Sequence, residues 1–121
     1  MVRIIIAGGR DFNDSKLFEE KTTEILAQYE DIELVSGHAR GADAMAEKYA
    51  NDMGIRVKVM PAEWNKYGKA AGPIRNKQML DYALEEVAVL IAFWDGSSKG
   101  TKDMINRARE YGAKCHIVMY K

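Results

Sequence analysis

The chain has 121 residues, enough for one domain over 1–121, with 47% apolar and 30% charged residues. Lysine plus arginine and aspartate plus glutamate both number 18, so the formal net charge is zero. This balance provides no global field for a nucleic-acid backbone, and we do not expect nucleic acid as a partner. The single cysteine, Cys115, excludes an intrachain disulfide, and no apolar run reaches the length of a membrane span or signal peptide. We expect a cytoplasmic protein without a membrane partner.

The first half of the chain alternates short β-forming runs with helical stretches. The apolar run at 4–7 ends in two glycines and predicts a buried strand. Apolar residues at helical spacing predict a helix over 14–29. A strand at 32–36, a helix at 42–53 and a strand at 56–60 follow in the same way.

The second half repeats this alternation after a polar loop at 62–72. A helix over 73–84 precedes the most apolar run, 87–94, and a helix at 104–111 precedes a last strand at 115–119. The pattern predicts an α/β fold, a Rossmann-like doubly wound parallel sheet. We expect five strands in the order 3-2-1-4-5, with helices on both faces.

Glycine-rich loops follow three of the predicted strands, at 8–12, 36–43 and 94–101. In a doubly wound sheet, ligands bind beyond the carboxyl ends of the strands where the winding reverses, here between strands 1 and 4. Glycine lets backbone approach a ligand closely, and helix N-termini suit phosphate. One such loop is usually only a turn, but three at one edge predict a binding site.

Cationic and aromatic side chains fall at or beside the same edge. The cations are Arg10, Arg40, Arg75 and Lys99. Arginine can grip phosphate with two hydrogen bonds, although these cations can equally be solvated or paired with nearby aspartates. In the long loop, Trp64 and Tyr67 can stack on a base or pack over the sheet edge.

Several common site types do not fit this sequence. Neither G-x-G-x-x-G after the first strand nor G-x-x-x-x-G-K-[ST] occurs, which disfavours classical dehydrogenases and P-loop enzymes. Cys115 and His116 are adjacent on a predicted strand, so they point to opposite faces and cannot chelate together. No G-x-S-x-G elbow is present. We expect no metal site and assign no cofactor.

Four motifs at these loops resemble the compact, single-domain "GGRDF" branch of the SLOG superfamily. They are Gly8-Gly9-Arg10-Asp11-Phe12, Ser36-Gly37-x-x-Arg40-Gly41-Ala42-Asp43, Ala71-Gly72-Pro73-x-Arg75-Asn76-x-x-Met79 and Asp95-Gly96-x-Ser98-x-Gly100-Thr101. The resemblance covers nearly the whole chain. It implies a Rossmann-like fold that binds a nucleotide or an NAD- or ADP-ribose-derived molecule as a sensor, carrier or sequestering protein. It also implies a link to conflict between phages and bacteria.

The loops and motifs together give one set of candidate ligand-binding residues. They are Gly8, Gly9, Arg10, Asp11, Phe12, Ser36, Gly37, Arg40, Gly41, Asp43, Trp64, Arg75, Asn76, Asp95, Gly96, Ser98, Lys99, Gly100 and Thr101.

An enzymatic alternative comes from the related LOG proteins, which remove the base from a nucleoside monophosphate. Their R-K-x-x-M helix start is partly matched at 75–79, and their P-G-G-x-G-T-x-x-E loop is imperfectly matched at 96–103. An N-glycosidase of this kind would use Asp103 (or Asp43) as its catalytic carboxylate and Arg75 as its phosphate-binding residue. We favour binding over catalysis because the loop lacks the proline and one glycine, and an aspartate lies nearest the position of the glutamate.

Self-association is a further expectation. Tyr82 lies beside the predicted core stripe of the helix over 73–84, and excess apolar width can mark a partner surface. SLOG proteins are commonly oligomers, so the resemblance also implies a homodimer or larger assembly.

Overall fold

The structure is a computed structural model that describes residues 1–120. Its five strands form one parallel sheet in the order β3-β2-β1-β4-β5. The strands are β1 (Val2–Gly8), β2 (Ile32–Ser36), β3 (Arg56–Val59), β4 (Val87–Trp94) and β5 (Lys114–Met119). The predicted fold class and strand order are confirmed.

The helices cover both faces of this sheet. They are α1 (Ser15–Leu26), α2 (Ala42–Met53), the single turn α3 (Trp64–Tyr67), α4 (Ala71–Leu84) and α5 (Lys99–Glu110), with a 3-10 turn at Gly68–Ala70. The sequence predicted α5 only from Met104, because its first turn is polar and shows no apolar stripe. No helix within residues 1–120 is long and apolar enough to cross a membrane.

Two apolar layers hold the helices to the sheet. Alternate side chains of β1 enter opposite layers, Ile4 and Ile6 on one face and Ile5 and Ala7 on the other. The first layer also contains buried residues of α1 and α2, and the second those of α4 and α5. The helices therefore change face between β1 and β4, and the crevice of the doubly wound sheet lies there.

Candidate functional site

A cavity of about 620 Å³ lies beyond the carboxyl end of β1, between the loops that follow β1, β2 and β4. The three loops therefore meet as their order in the sheet predicted. Most of the predicted site residues line it: Gly8, Gly9, Arg10, Asp11, Arg40, Asp43, Trp64, Arg75, Asn76, Ser98, Lys99, Gly100, Thr101 and Asp103.

Three helices begin at the wall of this cavity, namely α2, α4 and α5. No side chain among residues 1–120 caps any of the three with a hydrogen bond. By contrast, Asp14 caps α1, accepting a hydrogen bond from the Leu17 N–H at 3.0 Å. At α2 and α5 the lack of a side-chain cap leaves first-turn N–H groups available and presents the positive end of the helix dipole. The start of α4 offers fewer donors, because the Ala71 N–H is bonded to the Gly68 carbonyl and Pro73 has no N–H. This arrangement suits an anion.

Close backbone approach at two glycines brings the loops together. A methyl group on Gly41, whose φ is +76°, would collide with the carbonyl oxygen of Gly9. One on Gly8 would lie 2.6 Å from Cβ of Ala42. At Gly100, by contrast, it would meet no atom of residues 1–120 within 4 Å. Gly100, which lines the cavity, therefore leaves open space at the start of α5.

Arg75 is held in place from two sides. Its Nη1 donates to the carbonyl oxygen of Gly37 at 2.5 Å, and its Nε donates to Oδ1 of Asn76 at 3.2 Å. Burial lowers the pKa of its guanidinium, an effect that the neighbouring Asp43 carboxyl opposes and Arg10 reinforces. The side chain is half-buried. Arg75 is therefore a fixed cation in the cavity wall.

Asp103 takes part in a polar bridge between α4 and α5. Its Oδ2 accepts from Nδ2 of Asn76 at 3.0 Å and from Nε of Arg107 at 2.9 Å. The same Asn76 amide donates to the carbonyl oxygen of Gly100 at 3.2 Å. Asn76, which is buried, uses both its amide oxygen and its nitrogen in this network. The bridge fixes the start of α5 against Arg75.

Asp43 is the buried carboxyl of the cavity, with only 6% of its surface exposed. Burial raises its pKa from 3.8 to about 6, and Glu47 acts in the same direction. The N–H of Ala39, which donates to Oδ2 at 3.1 Å, and the Arg75 guanidinium oppose the rise. A perturbed carboxyl in a cleft is a feature of functional sites.

The raised pKa predicts a pH dependence of stability. A carboxyl that titrates near 6 when folded and 3.8 when unfolded stabilises the fold below pH 3.8, and this contribution is lost as the pH rises through 6. Asp43→Asn removes the titration and keeps an oxygen that can accept from Ala39. We expect the stability of the variant, relative to the parent, to rise by about 2 kcal/mol between pH 4 and pH 7. Denaturant unfolding at both pH values measures it, and an unchanged difference would contradict the assignment.

Three further cations and one aromatic ring are exposed at the cavity. The side chains of Arg40 and Lys99 make no hydrogen bond or ion pair within residues 1–120. The guanidinium carbon of Arg10 lies 5.4 Å from the centre of the Trp64 ring, which is 48% exposed. These groups are accessible to a ligand.

Six predicted site residues lie outside the cavity wall: Phe12, Ser36, Gly37, Gly41, Asp95 and Gly96. The Phe12 ring is buried and stacks on Phe93 with ring centres 5.0 Å apart, so it belongs to the core. Ser36 is fully buried and donates to Glu47. Asp95 accepts from the N–H groups of Ser97 and Ser98 at 2.9 and 2.8 Å, which lowers its pKa. The side chains of Ser36 and Asp95 therefore shape the loops.

Other residues at the site were missed. The missed wall residues are Ala7, Ala39, Gly72, Pro73 and Met79. Small apolar residues carry no chemical signal, and Met79 fitted the core stripe of α4. Two charged neighbours of the site were also missed. Glu47 is hydrogen-bonded to His38, and Arg107 donates to Asp103. Each follows a predicted aspartate by four residues, the spacing of neighbours on one helix face.

The hydroxyl and the ring of Tyr82 both make contacts within the chain. Its hydroxyl donates to Oε1 of Glu33 at 2.5 Å, and the guanidinium carbon of Arg3 lies 3.8 Å from the centre of its ring. The apolar width of α4 therefore gives self-association no support. The homodimer stays a prediction, to be tested by light scattering.

The fold resembles that of a known protein. The X-ray structure of DNA processing protein A (DprA) from Streptococcus pneumoniae aligns with 98% of this chain at a TM-score of 0.55 and 16% sequence identity. This chain spans 59% of the length of that one. At this identity the likeness shows the shared α/β fold.

Sequence comparison is more specific. The Gene 61 protein of Mycobacterium phage D29 is 30% identical over 118 residues, which cover 93% of this chain and 92% of that protein. The model of the YAcAr family, described as the YspA, cpYpsA-related SLOG family, matches residues 2–67. These residues include the first two motifs on which the SLOG resemblance was based. The chain belongs to the YspA, cpYpsA-related SLOG family.

Proposed function

We propose that this protein binds a nucleotide or an NAD- or ADP-ribose-derived molecule in the 620 Å³ cavity and holds it in the cytoplasm as a sensor, carrier or sequestering protein. SLOG family membership suggests nucleotide-related ligand binding. The observation that carries the proposal is that the uncapped N-termini of α2 and α5 line one cavity together with Arg75. A role in conflict between phage and host is part of the same proposal.

The cavity suits the separate parts of a nucleotide. Its volume falls within the range of about 300–1,000 Å³ that is usual for small-molecule sites. Helix N-termini and a fixed arginine bind phosphate without reorganisation, since their donors are already in place. The exposed face of Trp64 offers a stacking surface for a base.

A calorimetric titration against AMP, NAD, ADP-ribose and cyclic ADP-ribose tests this proposal. We expect at least one of them to bind with a Kd of about 1–100 µM, which corresponds to roughly 5–8 kcal/mol. The absence of heat with all four, using protein shown to be folded, would contradict the proposal.

The N-glycosidase is the second candidate, because Asp103 lines the cavity. Cleavage of an N-glycosidic bond passes through an oxocarbenium-like centre that a nearby carboxylate stabilises or attacks. One oxygen of Asp103 already accepts hydrogen bonds from Asn76 and Arg107, so a structural bridge between α4 and α5 accounts for its position. We therefore expect no release of adenine or nicotinamide from AMP, NAD or ADP-ribose. Turnover that Asp103→Asn abolishes while binding remains would establish the enzyme instead.

A further inference from the structure

A second cavity of about 360 Å³ adjoins the first. It lies between the loop after β2 and the loop after β3, and five residues line both cavities: Arg10, Ala39, Arg40, Trp64 and Arg75. A shared wall of this kind makes the two spaces adjacent compartments. A single elongated ligand can therefore occupy both.

The two cavities differ in charge. Asp11, Asp43 and Asp103 line the first cavity. No aspartate or glutamate among residues 1–120 lines the second, which contains the three shared arginines and His38. Because guanidinium groups bind anions and no carboxylate of the described residues lines this cavity, the second cavity suits a negatively charged group.

His38 is held at this cavity by a network of its own. Its backbone φ is +61°, in the left-handed region that residues with a side chain rarely adopt. Its N–H donates to Oγ of Ser36 at 3.2 Å, and Ser36 Oγ donates to Oε2 of Glu47 at 2.7 Å. The His38 Nδ1 lies 3.0 Å from Oε1 of Glu47. Strain retained in this way at a cavity indicates a function for the side chain.

The hydrogen bonds define which ring nitrogen is available. The Glu47 carboxylate accepts only, so Nδ1 of His38 donates to it, and Nε2 is left for a ligand. When the ring is protonated, Nε2 donates a hydrogen bond to an anionic oxygen. Arg75, fixed by the Gly37 carbonyl and by Asn76, lies in the wall that both cavities share.

We propose that the second cavity holds a second phosphate of the bound nucleotide, with the Nε2–H of the His38 imidazolium and the shared arginines as its hydrogen-bond donors. This inference rests on the proposed function and narrows it. The ligand class is a nucleotide with a diphosphate group, either terminal or bridging to a second sugar, and a monophosphate fills only the first cavity.

Titrations with AMP, ADP and ADP-ribose test this in the parent, in His38→Asn and in Lys99→Ala. Asparagine tolerates the left-handed backbone, so the variant removes the imidazole without adding strain. In the parent we expect ADP or ADP-ribose to bind about tenfold or more tightly than AMP. In His38→Asn this advantage falls to about threefold or less, with AMP binding unchanged. Lys99, which lines only the first cavity, should affect all three alike.

The outcomes separate this inference from the proposed function. If AMP binds and neither diphosphate binds more tightly, the second-phosphate site is wrong and nucleotide binding stands. If His38→Asn weakens all three ligands equally, the imidazole does not recognise the second phosphate, and the inference is likewise overturned. If none of the three binds the folded parent, both proposals fail. Tight binding of ADP favours a terminal phosphate, and tight binding of ADP-ribose alone favours a bridging one.

Discussion

Arg75→Ala is expected to raise the Kd for adenine nucleotides by at least about tenfold. A hydrogen bond to a charged group contributes about 1.5–3 kcal/mol, and 1.4 kcal/mol corresponds to a factor of ten. Arg75 lines both cavities and is already held by the Gly37 carbonyl and by Asn76, so little ordering opposes its contact with phosphate. Calorimetric titration with ADP-ribose measures the change. Loss of the hydrogen bonds to Gly37 and Asn76 is expected to lower the free energy of unfolding by about 1 kcal/mol, which thermal unfolding monitors.

Arg56→Ala is the matched control for this effect. Arg56 is an exposed arginine at the start of β3, paired with Asp31 at 3.0 Å, and it lines neither cavity. Its removal also deletes one positive charge, so it should leave the Kd unchanged if the effect at Arg75 is local. Arg75→Lys keeps the charge but loses the planar fork, and we expect it to recover binding only in part. Unchanged affinity in Arg75→Ala would exclude a phosphate contact at this residue.

Gly41→Ala is expected to have the largest effect on stability and to lower the free energy of unfolding by about 3 kcal/mol or more. Gly41 combines φ of +76° with ψ of −126°, a region available essentially to glycine alone. Its new methyl group would also strike the carbonyl oxygen of Gly9, which is backbone and cannot rotate away. Relief would require the loops after β1 and β2 to separate, and these loops form the cavity wall.

Gly54→Ala separates the two causes. Gly54, the C-terminal cap of α2, also has positive φ, +69°, but a methyl group there meets no atom of residues 1–120 within 4 Å. We expect Gly54→Ala to lower the free energy of unfolding by about 1 kcal/mol, the strain of the left-handed backbone alone. Urea unfolding of both variants gives the comparison. Equal losses would show that contact between Gly41 and Gly9 contributes nothing.

The architecture was predictable because its causes lie in local patterns. The apolar runs at 4–7 and 87–94 correspond to the two central strands, β1 and β4, which are buried on both faces and so need no alternation. The strand order follows from the crossover rules, since few topologies remain once strands and helices alternate. The start of α5 was missed because Lys99 and the polar residues after it resemble a loop.

The candidate site was predictable as a region but less so as a set of contacts. Loop membership singled out Arg10 and Lys99, which line the cavity, yet it also included Phe12, which packs in the core. Sequence spacing does not show which side of a turn a side chain occupies. The second cavity is lined by His38 from the loop after β2 and by Pro61 from the loop after β3, and no motif encodes how these two loops are placed.

Backbone amide chemical shifts, recorded while ADP-ribose is titrated into the protein, test the central claim most directly. The account predicts that the largest changes occur at the first turns of α2 and α5 and in the loop after β1, three of the segments that line the 620 Å³ cavity. A groove of about 520 Å³ between α1 and β5 provides an internal comparison. Changes confined to that groove, or no changes at saturating ligand, would contradict the assignment of the nucleotide site.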